Sequence, residues 1–554
     1  MRGDIDQAWS YDAYYQYGRT NFSQTYRNDF SVSRLGRALD VVRNADGNNV
    51  CRSTLDGSDP NCVPWDIFAP GNVSAASLSY LQVPGLSRGV NSEQVASVAF
   101  TGDLGAYGFQ LPTSNEGVKI ALGAEYRKES LEFVSDVSFQ TGDLAGQGAP
   151  TLPVSGAFNV KELFAEVRIP LARDSFVYDA SLTGGYRYSK YSVNGGGSFS
   201  TNTYKIEGEI APIPDIRFRG GYNRAVRAPT LQDLFAPQRV ALDGSTDPCS
   251  GFAITAADLG CLAQGLSVGQ IVAPNPADQY NGLIGGNASL SPEKADTYTA
   301  GVVLTPTFLP GFIASVDWFK IKIDQAIQGI GADTIISVCT STADPFFCDL
   351  INRDGSGSLW RSSAGFITNT TQNIGGASTE GFDVTASYNK QIGGAGRVSL
   401  SFVGTYLKDL TTDDGVSTPY DCTGYHGAIC GTPNPKWRHQ ARLGFDMPSG
   451  LGASLRWRYF HSVKQDTSSS QPTLSGTTQP ANLKIPTVSY FDLTLSAKVG
   501  DNYEFRLGAN NILDKQPPLV AGAACPAGPC NGNTWAQVYD SIGRYIYTGI
   551  TMDF

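Results

Sequence analysis

The sequence predicts an all-β chain, a transmembrane antiparallel β-barrel with long extracellular loops and short periplasmic turns. Three observations predict it. Apolar and polar residues alternate over long stretches, the connections between those stretches are by turns short and long, and the cysteines occur only in long connections. A soluble chain of 554 residues would hold several domains, each with a continuous apolar core. No such core is evident, and no run of about eighteen apolar residues could cross a bilayer as a helix. The mean hydropathy of −0.17 suits a wall whose lipid and water faces cancel in any average. The net charge of −10 argues against a nucleic-acid partner, because a phosphate backbone calls for a basic stripe.

Period-two alternation is clearest near the C-terminus. Leu451, Ala453, Leu455, Trp457 and Tyr459 alternate with Gly452, Ser454, Arg456, Arg458 and Phe460. Trp437, His439, Ala441, Leu443 and Phe445 alternate with Arg438, Gln440, Arg442, Gly444 and Asp446. Phe491, Leu493, Leu495, Ala497 and Val499 do so with Asp492, Thr494, Ser496 and Lys498. Such segments often run long enough to cross a bilayer at a tilt, beyond the usual strand of a soluble sandwich.

Short connections include Pro212–Asp215, Ile392–Gly396, Pro448–Gly450 and Gly500–Asn502. Mostly long ones fall between them: Asn44–Asn91, Pro237–Ser291, Gly329–Ser363, Thr411–Pro435, Lys464–Pro486 and Pro517–Gly543. Counting back from Phe554 gives about sixteen strands. If the last strand runs towards the periplasm, the strand holding Trp9, Tyr11, Ala13, Tyr15 and Tyr17 runs outward, and the chain starts in a periplasmic turn. Met1–Asp6 lacks the basic and apolar regions of a secretory signal, which an exported barrel needs. The chain is therefore expected to begin inside a longer open reading frame, or to have been cut there.

The cysteines form five neighbouring pairs: Cys51 with Cys62, Cys249 with Cys261, Cys339 with Cys348, Cys422 with Cys430, and Cys525 with Cys530. Each pair lies in one polar, Gly/Pro-rich segment, which favours local disulfides in an oxidising compartment. Free thiols or a metal site are the alternative, but neither clustered histidines nor a CxxC motif accompanies them.

At the C-terminus, Phe554, Met552, Ile550, Thr548 and Ile546 share one face. A strand with an aromatic terminal residue resembles the signal read by the outer-membrane assembly machinery; an ordinary edge strand ending in Phe is the bland alternative. Several internal segments stand out: Gly123–Arg127, Arg217–Pro229 followed by Leu231, Asp233, Leu234 and Phe235, and Gly286–Asp296. Glu380–Asp383, Asn510–Lys515 with Pro517 and Pro518, and Tyr539–Tyr545 complete the set. In this order, over nearly the whole chain, they resemble the boxes of TonB-dependent outer-membrane receptors. Taken singly, most of these residues suit plain strand ends and rim packing.

The resemblance implies a barrel domain over 1–554 in the bacterial outer membrane, with about sixteen of some twenty-two strands. It implies that the signal peptide, the TonB-binding box and the plug are absent. The family's lumen holds the plug, so Arg217, Arg219, Asn223, Arg456, Arg458 and Arg506 are expected to face the lumen and contact it. Implied partners are outer-membrane lipid, the barrel assembly machinery, TonB through the absent N-terminal part, and a small solute such as a siderophore, vitamin or oligosaccharide. No enzyme, cofactor or metal is implied. Haem is disfavoured, because Pro229–Pro292 contains no histidine; the three histidines are His426, His439 and His461.

Loop residues Trp360, Arg361, Tyr420, Tyr425, Trp535 and Tyr539 could stack on a sugar or grip a chelate, though loop packing is their commoner use. Gly85–Gly89 fits the GxSxG pattern but is read as a polar loop without the strand and helix of a nucleophile elbow. Asn352, Asp354, Ser356 and Gly357 start like a calcium loop, yet Ser363 stands where its glutamate belongs, so a turn is expected. A passive porin of about sixteen strands, or a surface-binding barrel without transport, are the competing functions.

Overall fold

The structure, a computed structural model, describes residues 1–68, 70–500, 502–521, 530 and 533–553. Among them one antiparallel sheet holds eighteen strands. Two of these are short flaps, Arg2–Asp4 and Tyr420–Asp421, which leaves sixteen wall strands. In chain order they are β1 (Trp9–Phe30), β2 (Gln82–Asp103), β3 (Lys119–Ser135), β4 (Val154–Arg173), β5 (Asp179–Val193), β6 (Ser198–Ile213), β7 (Ile216–Arg227) and β8 (Glu293–Leu304). Then come β9 (Phe312–Asp324), β10 (Gly376–Ile392), β11 (Gly396–Asp413), β12 (Trp437–Asp446), β13 (Leu451–Phe460), β14 (Val488–Val499), β15 (Tyr503–Asn510) and β16 (Tyr545–Met552). Each pairs with its sequence neighbour, the up-and-down order that hairpins enforce. The terminal ladders among the described residues are Arg2–Asp4 on β1 and β16 on β15.

The two rims differ as the connections imply. Residues 214–215, 393–395 and 447–450 turn tightly at one rim, while 228–292, 325–375, 414–436, 461–487 and the described residues within 31–81 and 511–544 stand on the other. Two connections depart from this: residues 194–197 make a tight turn at the long-loop rim, and 104–118 form a longer connection at the other. One expectation is corrected: Asn44–Asn91 is not all loop, because β2 begins at Gln82 and pairs with β1 from Phe30 onward. The Gly85–Gly89 segment therefore lies inside a strand, not in a polar loop. Arg227–Pro229 does end β7, and Asn510 ends β15.

Register sorts the side chains onto two faces. Phe218 pairs with Val302, Val302 with Val316, and Val316 with Val384. Phe445, Ala453, Leu495 and Leu507 form a second such row. Phe218, Val316, Leu443, Leu455, Leu495, Leu507 and Ile550 are all exposed, a continuous apolar face that water would penalise and hydrocarbon accepts. The other face carries charge: Arg219, Gly301, Asp317 and Asp383 occupy one row.

Arg219 reaches over the intervening strand to Asp317 in a two-pronged bridge, Nε to Oδ1 and Nη2 to Oδ2 both at 2.7 Å. Gly301 makes that possible, since a Cβ there would fall on the Asp317 carboxylate. Replacing Gly301 with valine should displace the bridge and cost about 1–3 kcal/mol. A lowered unfolding temperature of the folded chain in detergent would show it; an unchanged one would refute the role given to Gly301.

Above the long-loop rim the chain builds three caps. Residues 228–292 and 325–375 interlock through a four-stranded ladder, Arg239–Gly244, Tyr280–Ile284, Phe366–Thr368 and Ile351–Asn352. Ile335, Ile336, Leu359 and Ile367 are fully buried within it, each contributing about 1.5–3 kcal/mol. A second cap joins 414–436, 461–487, 511–521 and 533–544 around Val463, Ile485, Trp535 and Tyr539. A third packs Ala38, Tyr80 and Leu81. Disulfides Cys51–Cys62, Cys249–Cys261, Cys339–Cys348 and Cys422–Cys430 pin these caps. Cys530 is also disulfide-bonded, while Cys525 and Phe554 lie outside the described residues.

Candidate functional site

The polar wall face is a ladder of ion pairs. Because side chains alternate, residues of like parity on paired strands meet, and opposite charges were placed at those positions. Arg217 Nη1 binds Asp179 Oδ2 at 2.6 Å and Glu209 Oε2 at 3.0 Å. Arg187 binds Glu162 at 2.8 Å, and Lys205 lies between Glu166 at 3.0 Å and Glu207 at 3.6 Å. Arg456 and Arg458 converge on the buried Asp492 at 2.7 and 2.8 Å, and Arg458 continues to Asp540 of the second cap at 2.6 Å. Arg506 donates to Thr551 at 2.9 Å.

Thus the five arginines read as lumen-facing share one face with Asn223, but each already has a partner in its own wall. The sequence reading missed those partners, Asp179, Glu209, Asp317, Asp492 and Thr551, and the further contact of Arg458 with Asp540 of the second cap. A signal was present for one of them: Asp492 stands opposite Arg456 once the two strands are aligned as a hairpin pair.

Beyond Pro229 the chain turns back onto this polar face. Thr230 and Asp233 form a capping box that starts a one-turn helix, Leu231–Phe235. Leu231 and Ala228 pack on Phe158, Val160 and Tyr191, and the Phe235 ring lies where Gly156 offers no side chain. Arg227 is held by Glu293 at 2.6 Å. The fold-back leaves a concavity of about 750 Å³, lined by Glu93, Arg127, Glu129, Tyr191, Arg227 and Gln232 among others. Arg127 binds Glu129 at 3.1 Å, and its buried Nε has no hydrogen-bond partner among the described residues.

The loop residues divide. Trp360 is half-buried, its indole N–H donating to the Ala273 carbonyl at 3.1 Å, and the exposed Arg361 guanidinium stacks 5.4 Å from its ring centre. Tyr420 and Tyr425 are half-buried, and burial raises the Tyr420 phenol. Trp535 and Tyr539 are 0% and 2% exposed. As placed, those two are packing residues of the second cap, with Trp535 edge-on to His426 and Tyr539 edge-on to Phe460. Asp354 does organise a turn: burial raises its carboxyl, but the Ser356 and Ser362 hydroxyls and the Ser356 and Ser358 N–H groups outweigh this and bring it down to about 2.

An up-and-down wall with one exposed apolar face, one ion-paired face and its elaborate loops on one rim defines a membrane β-barrel. The family described as "TonB dependent receptor-like, beta-barrel" matches residues 2–512, and the chain belongs to it. Among solved structures, the ferric enterobactin receptor PfeA of Pseudomonas aeruginosa, as a mutant in complex with enterobactin, aligns with 17% identity and a TM-score of 0.58. That alignment covers 100% of this chain and 61% of the receptor. The siderophore receptor PirA of Acinetobacter baumannii aligns with 12% identity and a TM-score of 0.56, over 100% of this chain and 61% of PirA. The copper transporter OprC gives 13% identity and a TM-score of 0.51, over 100% and 64%. The chain spans about three-fifths of the length of the two siderophore receptors. No curated protein sequence matches it.

Proposed function

We propose that this chain is the wall and loop apparatus of an outer-membrane receptor that takes up a scarce solute, with energy supplied through TonB. The observation that carries the reading is the pairing of a charged, ion-bridged wall face with disulfide-pinned caps directly above it. The caps offer surface groups such as Trp360 and Arg361 for capture, and the bridged face lines the route below them. Arg217, Arg219, Asn223, Arg456, Arg458 and Arg506 would present this lined face to a plug. Their wall partners fix the guanidinium groups in place, so a plug would meet an ordered surface and slide on it with little reorganisation. Lipid outside the wall, the assembly machinery at the C-terminal strand and a siderophore, vitamin or oligosaccharide as solute follow from the same reading.

A second reading, a passive porin, is favoured by one observation: residues 228–236 fold back onto the polar face, as a constricting loop does. Uptake of labelled ferric siderophores, vitamins and oligosaccharides separates the two. Cells expressing the full-length gene should accumulate one solute class, and deleting TonB should abolish the accumulation. Uptake that persists without TonB supports the porin, and binding at the surface without uptake supports a barrel that only binds.

A further inference from the structure

The exposed, apolar-dominated face of β1 to β6 has an uncompensated positive corner. Lys161 on β4 and Lys190 on β5 are directly paired, both exposed on this face. Side chains so placed start about 5 Å apart, and like charges there repel. Lys128 on β3 lies one step nearer the long-loop rim, across from Asn159. None of the three lysines takes part in a salt bridge among the described residues. On this face of β1 to β6, register leaves Glu132 as the carboxylate among the described residues.

A directly paired set of unbridged lysines sets this corner apart from the other side of the wall. On the same face of β7 to β11 four cations are neutralised, Arg224 by Asp296 at 2.7 Å, Lys322 by Asp324 at 2.9 Å, and Lys320 and Lys408 by Glu380, while Lys294 and Lys390 stand singly without a salt bridge among the described residues. Directly beneath Lys161 and Lys190 runs a groove of about 570 Å³ walled by Ala96, Val98, Ala124, Tyr126, Leu163 and Tyr188. Small residues on two strands form its floor, and the tyrosines and Leu163 rise beside it. Exposed Tyr15 and Tyr17 on β1 continue the aromatic edge at the same height, where amphipathic rings mark a membrane interface.

We infer that this corner binds a membrane lipid with a phosphate-bearing headgroup, its acyl chain in the groove and its phosphate on Lys161, Lys190 and Lys128. The inference rests on the membrane-spanning reading of the wall. A lipid phosphate supplies the negative charge that the protein itself omits, and hydrocarbon fills a groove that water would leave at a cost. A soluble anion would satisfy the lysines and leave the groove empty. A neutral lipid would fill the groove and leave the repulsion in place.

The test uses the full chain folded in detergent and native mass spectrometry, with bisphosphorylated lipid A as probe. Dephosphorylated lipid A and inorganic phosphate are the comparison ligands. The wild-type chain should retain the phosphorylated lipid in preference to both, and the double variant Lys161→Gln/Lys190→Gln should bind it about thirtyfold more weakly. Lys320→Gln, whose cation is already paired, should leave binding unchanged. Heat-modifiable migration and insertion into phosphatidylcholine vesicles report the fold and the membrane reading separately. If the chain and its variants insert yet the double variant binds lipid A as well as wild type, or the dephosphorylated lipid binds equally, the proposal is wrong. So is it if a second copy of the chain takes the groove instead of lipid. A wild-type chain that fails to insert would overturn the membrane reading instead.

Discussion

Replacing Arg353 with methionine is expected to open the first cap while leaving the wall folded. Arg353 and Asp247 belong to different loops, 106 residues apart, and their side chains are 4% and 0% exposed. All five guanidinium N–H groups are used: two reach the Asp247 carboxylate at 2.7 and 2.8 Å, two the Gln264 amide oxygen, and one the Gly357 carbonyl. Methionine fills similar volume but strands the Asp247 carboxylate in the interior, which costs about 3–5 kcal/mol. Proteolysis of the open form should then rise by about two to three orders of magnitude within residues 228–292 and 325–375. The double variant Asp247→Leu/Arg353→Met removes both charges and should recover most of the protection. A single variant as resistant as wild type would show that the cap is held by its disulfides and apolar core alone.

The second large effect is a dependence on pH within the second cap. His426 is 0% exposed, packs edge-on to Trp535, and has no hydrogen-bond partner for either ring nitrogen among the described residues. Burial lowers its pKa from 6.5 to about 4, with the nearby Asp466 opposing the shift. A histidine held neutral in the fold makes its full contribution above the unfolded value of 6.5 and loses it as pH falls through about 4. The loss amounts to about 3 kcal/mol, enough to raise local opening of the cap roughly a hundredfold. Hydrogen exchange corrected for intrinsic rates should show residues 425–426, 463–465 and 484–485 losing protection between pH 7 and pH 4. His426→Phe should keep its protection at both values. Equal loss in wild type and variant would assign the effect to other groups.

The wall was legible in the sequence because its signal is local. Period-two alternation in β12 to β14 is written in consecutive residues, and the turn from β12 to β13 is a tetrad bearing both Pro448 and Gly450. The Gln82–Asn91 half of β2 was not legible for the same reason. Pro84, Gly85 and Gly89 are poor strand formers, and pairing with β1 overrides their propensity. Gly85 is small there because Phe139 and Leu144 of a neighbouring loop pack against it, a contact no local pattern announces. The shared polar-face parity of Arg217, Arg219, Asn223, Arg456, Arg458 and Arg506 follows from alternation, whereas the groups that hold the arginines come from other strands and loops.

The loops were harder still. Trp360 and Trp535 look alike in sequence, each an aromatic in a polar stretch, yet one lies half-buried beside an exposed arginine and the other is sealed in a core. Burial in a cap is decided by how three separate loops meet, and residues 414–436, 461–487 and 511–544 have no shared pattern. Arg353 and Asp247 make the same point, since a buried pair joining two loops has no sequence spacing to betray it.

The two-faced wall is tested most directly by a nitroxide scan of β14 in lipid bilayers, with residues 491–498 replaced by cysteine and labelled one at a time. Labels at Phe491, Leu493, Leu495 and Ala497 should be accessible to oxygen and shielded from a water-soluble nickel chelate, and those at Asp492, Thr494, Ser496 and Lys498 the reverse. A flat profile, or one in which the leucine positions meet water, would contradict a wall with hydrocarbon on one side and a polar route on the other.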